Sequence, residues 1–237
     1  MYYKRIPLAL FLFVSLQSAA NVTINVNNTV YDYTSNPRMA EVLEPVALEQ
    51  SWYWNASKLF RLDNVIQVEQ KKEALRVLSS LLEEQSFSGE LERLKQELRD
   101  WYVLSRVNTP IDFELSRLMN EYNPRFENGS YKLLLSTRPN HILFFGALSE
   151  TLLPYENETA IDEYFKQLNI PKDAYVKGIV VIAPNGDKKL LSNYLSTLAF
   201  EPMPGSLVFI PFNESRNNNI ALLNHLLLEL SEHRVLH

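Results

Sequence analysis

The chain has 237 residues, 46% of them hydrophobic and 22% charged, with 12 Pro, 6 Gly, no Cys and a formal net charge of −5. These proportions exclude disordered, collagen-like and fibrous chains, and the length accommodates one large domain or two small ones. Without cysteine there is no disulfide, thiolate zinc site, cysteine nucleophile or lipidated N-terminal Cys.

Lys4 and Arg5 precede an apolar run from Ile6 to Val14, and Ser18 and Ala20 supply small residues at positions −3 and −1 of a cut before Asn21. This is the pattern of a secretory signal peptide over residues 1–20, cleaved after Ala20. The apolar run is about half of the ~20 residues that a membrane-spanning helix needs, and no later stretch is apolar for as long. Cleavage takes the formal charge to −7, because Lys4 and Arg5 leave and no carboxylate does. A mature chain of that charge has no electrostatic case for nucleic acid or anionic lipid surfaces. Export without cysteine fits a bacterial periplasm or extracellular space. Six Asn-X-Ser/Thr sequons, beginning at Asn21, Asn27, Asn55, Asn128, Asn157 and Asn213, read as turn chemistry in an Asn-rich chain.

Val22, Ile24 and Val26 alternate with polar residues, Asn27-Asn28 turns the chain, and Val30, Tyr31 and Tyr33 resume the extended pattern. This predicts an opening β-hairpin. Asn36-Pro37 starts a short helix carrying Met39, Val42 and Leu43, with Pro37 at its first position. Ser51 to Leu62, aromatic and irregular, suits a strand pair. From Asn64 to Tyr102 the spacing predicts two long helices, with Leu75, Leu78 and Leu82 on one and Leu91, Leu94, Leu98 and Trp101 on the next. The polar break Gln85 to Gly89, with Ser88 as N-cap, makes them an antiparallel hairpin.

Tyr131 to Leu135 and Ile142 to Phe145 read as two strands of one hairpin around Arg138-Pro139-Asn140. Thr159 and Asp162 resemble a capping box before a short helix bearing Ile161, Tyr164, Phe165 and Leu168. Val176 to Ile182 and Lys188 to Leu191 form a hairpin with a type I′ turn centred on Asn185-Gly186. A strand from Leu207 to Phe212, a polar tether from Asn213 to Asn219, and an amphipathic helix from Ile220 to Leu236 close the chain. Glu229, Glu232, His233 and Arg234 interrupt that helix, which predicts docking on the protein rather than membrane entry. The second half therefore repeats the hairpin and short helix that open the first.

Several strings are similar to the GfcC-type capsule biosynthesis family. Ser35-Asn36-Pro37-Arg38-Met39-Ala40-Glu41-Val42-Leu43, Tyr53-Trp54 and Leu59-Phe60 resemble its first domain. Asn123-Pro124, Gly129-Ser130-Tyr131, Arg138-Pro139, Phe145-Gly146-Ala147, Pro184-Asn185-Gly186-Asp187 and Pro204-Gly205-Ser206 follow in the order of its second. The resemblance implies an α+β fold of two β-grasp-like domains, related to the SLBB-type domains of the polysaccharide exporter Wza. One domain would cover residues 21–118 with a helical hairpin inserted at 64–103, and the other residues 119–212, before a tether and C-terminal amphipathic helix over 213–237. It also implies a periplasmic accessory protein of capsule or exopolysaccharide export in a Gram-negative cell. Its partners would be polysaccharide, outer-membrane export proteins, or both. Lacking the N-terminal Cys of exporter lipoproteins, the mature chain would be free in the periplasm.

Within that resemblance Arg106, in Ser105-Arg106-Val107, matches an arginine that follows the helical hairpin, with Ser105 where relatives often carry Gly. An arginine between two domains clamps an acidic sugar or phosphate, or bonds across the interface. Trp52 and Trp54 are the candidate sugar-stacking residues, with core packing as the other role for these rings and for Tyr53 and Trp101. The sequence has no Gly-rich phosphate loop, His-Glu-X-X-His or Gly-X-Ser-X-Gly motif, and the His spacing suits no helical metal pair. His141, His225, His233 and His237 read as surface residues. The expectation is a non-catalytic binding protein without metal or cofactor. The alternatives are an enzyme acting on the polymer through paired carboxylates in the interdomain cleft, and an adaptor contacting an outer-membrane protein through its helices.

Overall fold

The computed structural model describes residues 21–84, 88–172, 174–175, 178–192, 200–214 and 217–236. The predicted signal peptide, the Gln85 to Phe87 part of the helical break, and His237 lie outside the described residues. Among the described residues the chain is a mixed α+β structure with two five-stranded sheets and six helices. Among the described residues no helix is long and apolar enough to cross a membrane.

Strands β1 (Val22–Val26) and β2 (Thr29–Tyr33) form the predicted hairpin, with Val26 opposite Thr29. The two linking residues, Asn27 and Asn28, both have positive φ, +44° and +80°. A two-residue loop with both φ positive is the type I′ turn that matches strand twist, and Asn tolerates it better than most residues. Helix α1 (Met39–Leu43) follows, beginning two residues later than Pro37 and burying Met39, Val42 and Leu43. Between Ser51 and Leu62 there is one strand, β3 (Lys58–Arg61), not a pair. Helices α2 (Ile66–Glu83) and α3 (Ser88–Asp100) then pack against each other before β4 (Ser105–Val107) and α4 (Phe113–Leu118).

Strand β5 (Gly129–Leu134) corrects the expected boundary between halves. It does not pair with β6 (His141–Gly146). It runs parallel to β1 and antiparallel to β3 in the first sheet, whose order is β2-β1-β5-β3-β4. Residues 129–134 thus belong with the first sheet rather than with a domain starting at 119. Two adjacent strand patterns linked by a Pro loop look alike whether the loop turns a hairpin or passes between sheets. Burial on alternate residues cannot tell them apart.

The second sheet comprises β6, β7 (Thr151–Pro154), β8 (Ile179–Ile182), β9 (Lys188–Leu191) and β10 (Leu207–Ile210), in the order β7-β6-β10-β8-β9. Numbered within each sheet, both orders are 2-1-5-3-4, and in both the first and last strands form the parallel pair. A short helix follows the opening hairpin each time: α1 in the first half and α5 (Ile161–Phe165) in the second. Thr159 does not cap α5; its hydroxyl donates to the Asn157 carbonyl, and Ala160 is the N-cap.

The turn between β8 and β9 also differs from expectation. Gly186 N–H donates to Ala183 O and Ala183 N–H to Asp187 O, and of Asn185 and Gly186 only the glycine has positive φ, +102°. This is a three-residue loop with Pro184 leading a tight turn and Gly186 taking the position an L side chain disfavours. In the first sheet the corresponding link, β3 to β4, contains the α2-α3 pair.

Although α2 and α3 are inserted into the first sheet's connectivity, their apolar face joins the second sheet's core. Ala74, Leu78, Leu91, Leu94 and Leu98 form one buried cluster with Phe144, Phe145, Val208, Phe209 and Phe212. Helix α6 (Asn218–Glu232) docks on α2, and Ile220, Leu223, Leu227 and Leu230 are fully buried, as its spacing predicted. The first core is separate and smaller, built from Val22, Ile24, Met39, Leu43, Leu59, Tyr131 and Leu133 among others. The final helix stops at Glu232, not Leu236, and the chain turns back to β4. Leu104 N–H donates to His233 O and Val235 N–H to Tyr102 O, so the last described residues cover the edge beside β4.

Candidate functional site

Leu59, on one face of β3, joins the first core, while Phe60 on the other face is fully buried yet belongs to neither apolar cluster. Phe60 lies opposite Arg106 on β4 and Lys132 on β5, and residues directly opposite share a face. Lys58, two residues before Phe60, is on that face as well. The face of the first sheet that meets the second half therefore carries three cations around one buried ring.

Arg106 is the central contact. Its Nη2 donates to the Pro184 carbonyl at 3.2 Å, and its backbone N–H donates to Nδ1 of His233 at 2.9 Å. A Cβ at Gly186 would sit 3.2 Å from both terminal nitrogens of Arg106, so the guanidinium lies directly against the glycine backbone. Burial lowers the Arg106 pKa, partly offset by Glu232. Burial also lowers that of His233, against the pull of Glu232 and Glu229, which favours the neutral imidazole that accepts the Arg106 N–H. His233 is therefore a half-buried hydrogen-bonding residue, not a surface one as predicted, whereas His225 is exposed.

Two cavities flank this contact. One, of about 290 Å³, is lined by Trp54, Ser57, Arg106, Asp112, Tyr122, Asn185 and Asp187. The Ser57 hydroxyl is buried there with no hydrogen-bond partner among the described residues. The other, of about 420 Å³, is lined by Lys58, Lys132, Ser136, Pro139, His141 and Pro184 among others. Segment 56–58 and the turn at Pro184–Asp187 border both cavities, so these are two mouths of one cleft between the halves.

Of the predicted site residues, the structure brings Trp54 and Arg106 together in the smaller cavity and leaves Trp52 out. Both tryptophans pack, partly buried, on the first core, and Trp52 Nε1 donates to the Val46 carbonyl at 2.8 Å. Trp101 is a core residue, 3% exposed; its Nε1 donates to Glu150 at 2.6 Å and Arg234 lies over its ring. Lys58 and Ser57 were not singled out by sequence, and the Pro184–Asp187 segment was read only as a turn and a family string, not as part of a site. Their only local sign is that β3 carries a cation where its second apolar face should continue. Among the described residues no three of His, Asp and Glu come together as a metal site.

The cleft's carboxylates already have partners. Asp112 caps α4 by accepting from Leu115 N–H at 2.9 Å, and Asp187 accepts from the Asn185 amide at 2.8 Å. The smaller cavity thus presents an indole ring, a guanidinium, a hydroxyl with no partner among the described residues and the amides of Asn55, Asn108 and Asn185, a mixed lining of the kind that polar ligands use.

Two family models match the chain, and their division agrees with the strand pairing. "Capsule biosynthesis GfcC, N-terminal" matches residues 17–138, which ends after β5, and "Capsule biosynthesis GfcC C-terminal" matches residues 149–236. No curated protein matches the chain. With both halves matched in order and nearly the whole described chain covered, the protein belongs to the GfcC capsule biosynthesis family.

Proposed function

We propose that this chain is a periplasmic accessory protein of capsule or exopolysaccharide export that binds the polymer, or the export machinery, through the cleft between its two sheets. The observation that carries this reading is the cleft itself, where Arg106 from the first sheet and the Pro184–Asp187 turn of the second enclose a polar cavity in a capsule biosynthesis protein. The 2-1-5-3-4 order in both sheets supports reading the halves as β-grasp-like and related to the SLBB-type domains of Wza. The charged, apolar and small-residue pattern of residues 1–20 supports export and cleavage after Ala20.

A non-catalytic role is part of the proposal. Asp112 and Asp187, the carboxylates a hydrolase would use here, are engaged in a helix cap and a turn. In a polymer-producing strain, deletion of the gene reduces surface polysaccharide, and affinity capture of the tagged protein from periplasm recovers polymer or exporter. Recovery of neither overturns the reading. Reducing-sugar release by the purified protein, abolished by Asp112→Asn or Asp187→Asn, would replace it with the enzyme.

A further inference from the structure

The larger mouth of the cleft has an unusual charge distribution for an acidic protein. Among the described residues its charged lining consists of Lys58 and Lys132, with His141 at the edge, and includes no Asp or Glu. Lys132 lies 6.0 Å from the Tyr102 ring centre. Lys58 is held between sheets with no hydrogen bond or ion pair to any described residue, although the sequence has 28 carboxylates. Its charged neighbours are Arg106 and Arg234, both cations, and Glu232, whose charge acts on Arg106, is paired with Lys188. Lys58 is partly buried, and withdrawing a cation from water even in part without a partner is costly, so one kept there points to something that binds it.

We propose that this mouth binds a carboxylate-bearing sugar unit of the uronic acid class, with the carboxylate on Lys58. This deepens, and rests on, the polymer-binding reading. Lys132 and His141 lie at the rim, the Asn28 amide and Ser136 hydroxyl face the sugar hydroxyls, and Pro139 offers an apolar wall to the ring. The cavity's 420 Å³ falls within the range of about 300–1,000 Å³ typical of small-ligand sites. Burial, with Arg106 and Arg234 beside it, pulls the Lys58 pKa down to about 8, so the ammonium persists at neutral pH and is easily neutralised by a bound anion.

The test is calorimetric titration of the mature protein with tetragalacturonate, with neutral maltotetraose and with inorganic phosphate. Tetragalacturonate binds, and Lys58→Met weakens it about tenfold or more, the loss of one charge-assisted contact. The same substitution leaves the melting temperature unchanged or higher, because it removes an unpaired cation, whereas a lysine with a structural role would lower it. Binding also weakens between pH 7 and pH 9 in the wild type as Lys58 loses its proton. Equal affinity in Lys58→Met overturns the proposal. So does phosphate binding in preference to the uronate. Binding of maltotetraose but not tetragalacturonate sinks the anion site alone. Failure of every glycan, the strain's own polymer included, sinks polymer binding itself.

Discussion

Arg106 connects three parts of the chain through two hydrogen bonds, because its guanidinium reaches the Pro184 turn while its backbone N–H reaches His233. Truncating it to Ala removes the first of these and costs about 1–2 kcal/mol of stability, read from the urea midpoint. Gly186→Ala costs about 1 kcal/mol or more, since the position has φ of +102° and the new methyl meets the guanidinium. The pH response of the interface follows from His233. Its folded pKa is depressed, so the folded chain holds this proton less readily than the unfolded one. The stability it contributes is complete above about pH 6.5 and is lost as pH falls through the lower folded value. Melting temperatures measured from pH 8 to pH 5 show this decline, and His233→Asn, which keeps an acceptor without the titration, flattens it.

At the level of elements, helix α6 is a core component. Its Ile220, Leu223, Leu227 and Leu230 are fully buried among α2 and the second sheet. Leu227→Ala or Leu94→Ala costs about 2–5 kcal/mol by denaturant unfolding, as cavity-forming substitutions do. Deleting the terminal helix therefore unfolds the second half rather than separating an adaptor from a sugar binder, and point substitutions on its exposed face, such as Leu222→Glu, are the discriminating variants. Helical faces were the most legible part of the sequence. Leu91, Leu94, Leu98 and Trp101, and the four apolar residues of α6, were all placed by spacing and are all buried. The β1-β2 and β8-β9 hairpins were legible, but partners distant in sequence were not, because β5 pairs with β1 about a hundred positions earlier and no local pattern records that choice. The cleft shows the same division. Arg106 was found through the family resemblance and Trp54 as an aromatic able to stack on a sugar, whereas Lys58 gains its meaning only once two other cations are folded beside it.

On the scale of the whole molecule, a second polar junction ties the chain together. Arg234 places both terminal nitrogens on Glu150, at 2.6 and 2.8 Å, and Glu150 also accepts from Trp101 Nε1. Glu97 of α3 accepts from the Glu150 backbone N–H and pairs with Arg93, which donates to the Gly146 carbonyl. Both side chains of the Arg234–Glu150 pair are about one-fifth exposed or less, 16% and 21%. Removing one partner leaves the other charge without its bidentate contact, so Glu150→Gln costs about 3 kcal/mol. The double variant Glu150→Gln with Arg234→Met recovers a large part of that loss, and a double-mutant cycle measures the coupling.

The return of residues 233–235 to the strip beside β4 sets an order of events in folding. The N-terminal half is made first, yet its parallel strand β5 comes a hundred residues after β1, and the edge beyond β4 is covered only by residues 233–235. Until then the α2-α3 pair has no second core to close on, and a sheet edge stays open to strand addition by other chains. Completion of the fold thus waits until residues 233–235 are free to return to that strip. A chain stalled or clipped before α6 is an aggregation-prone species rather than a shorter working protein.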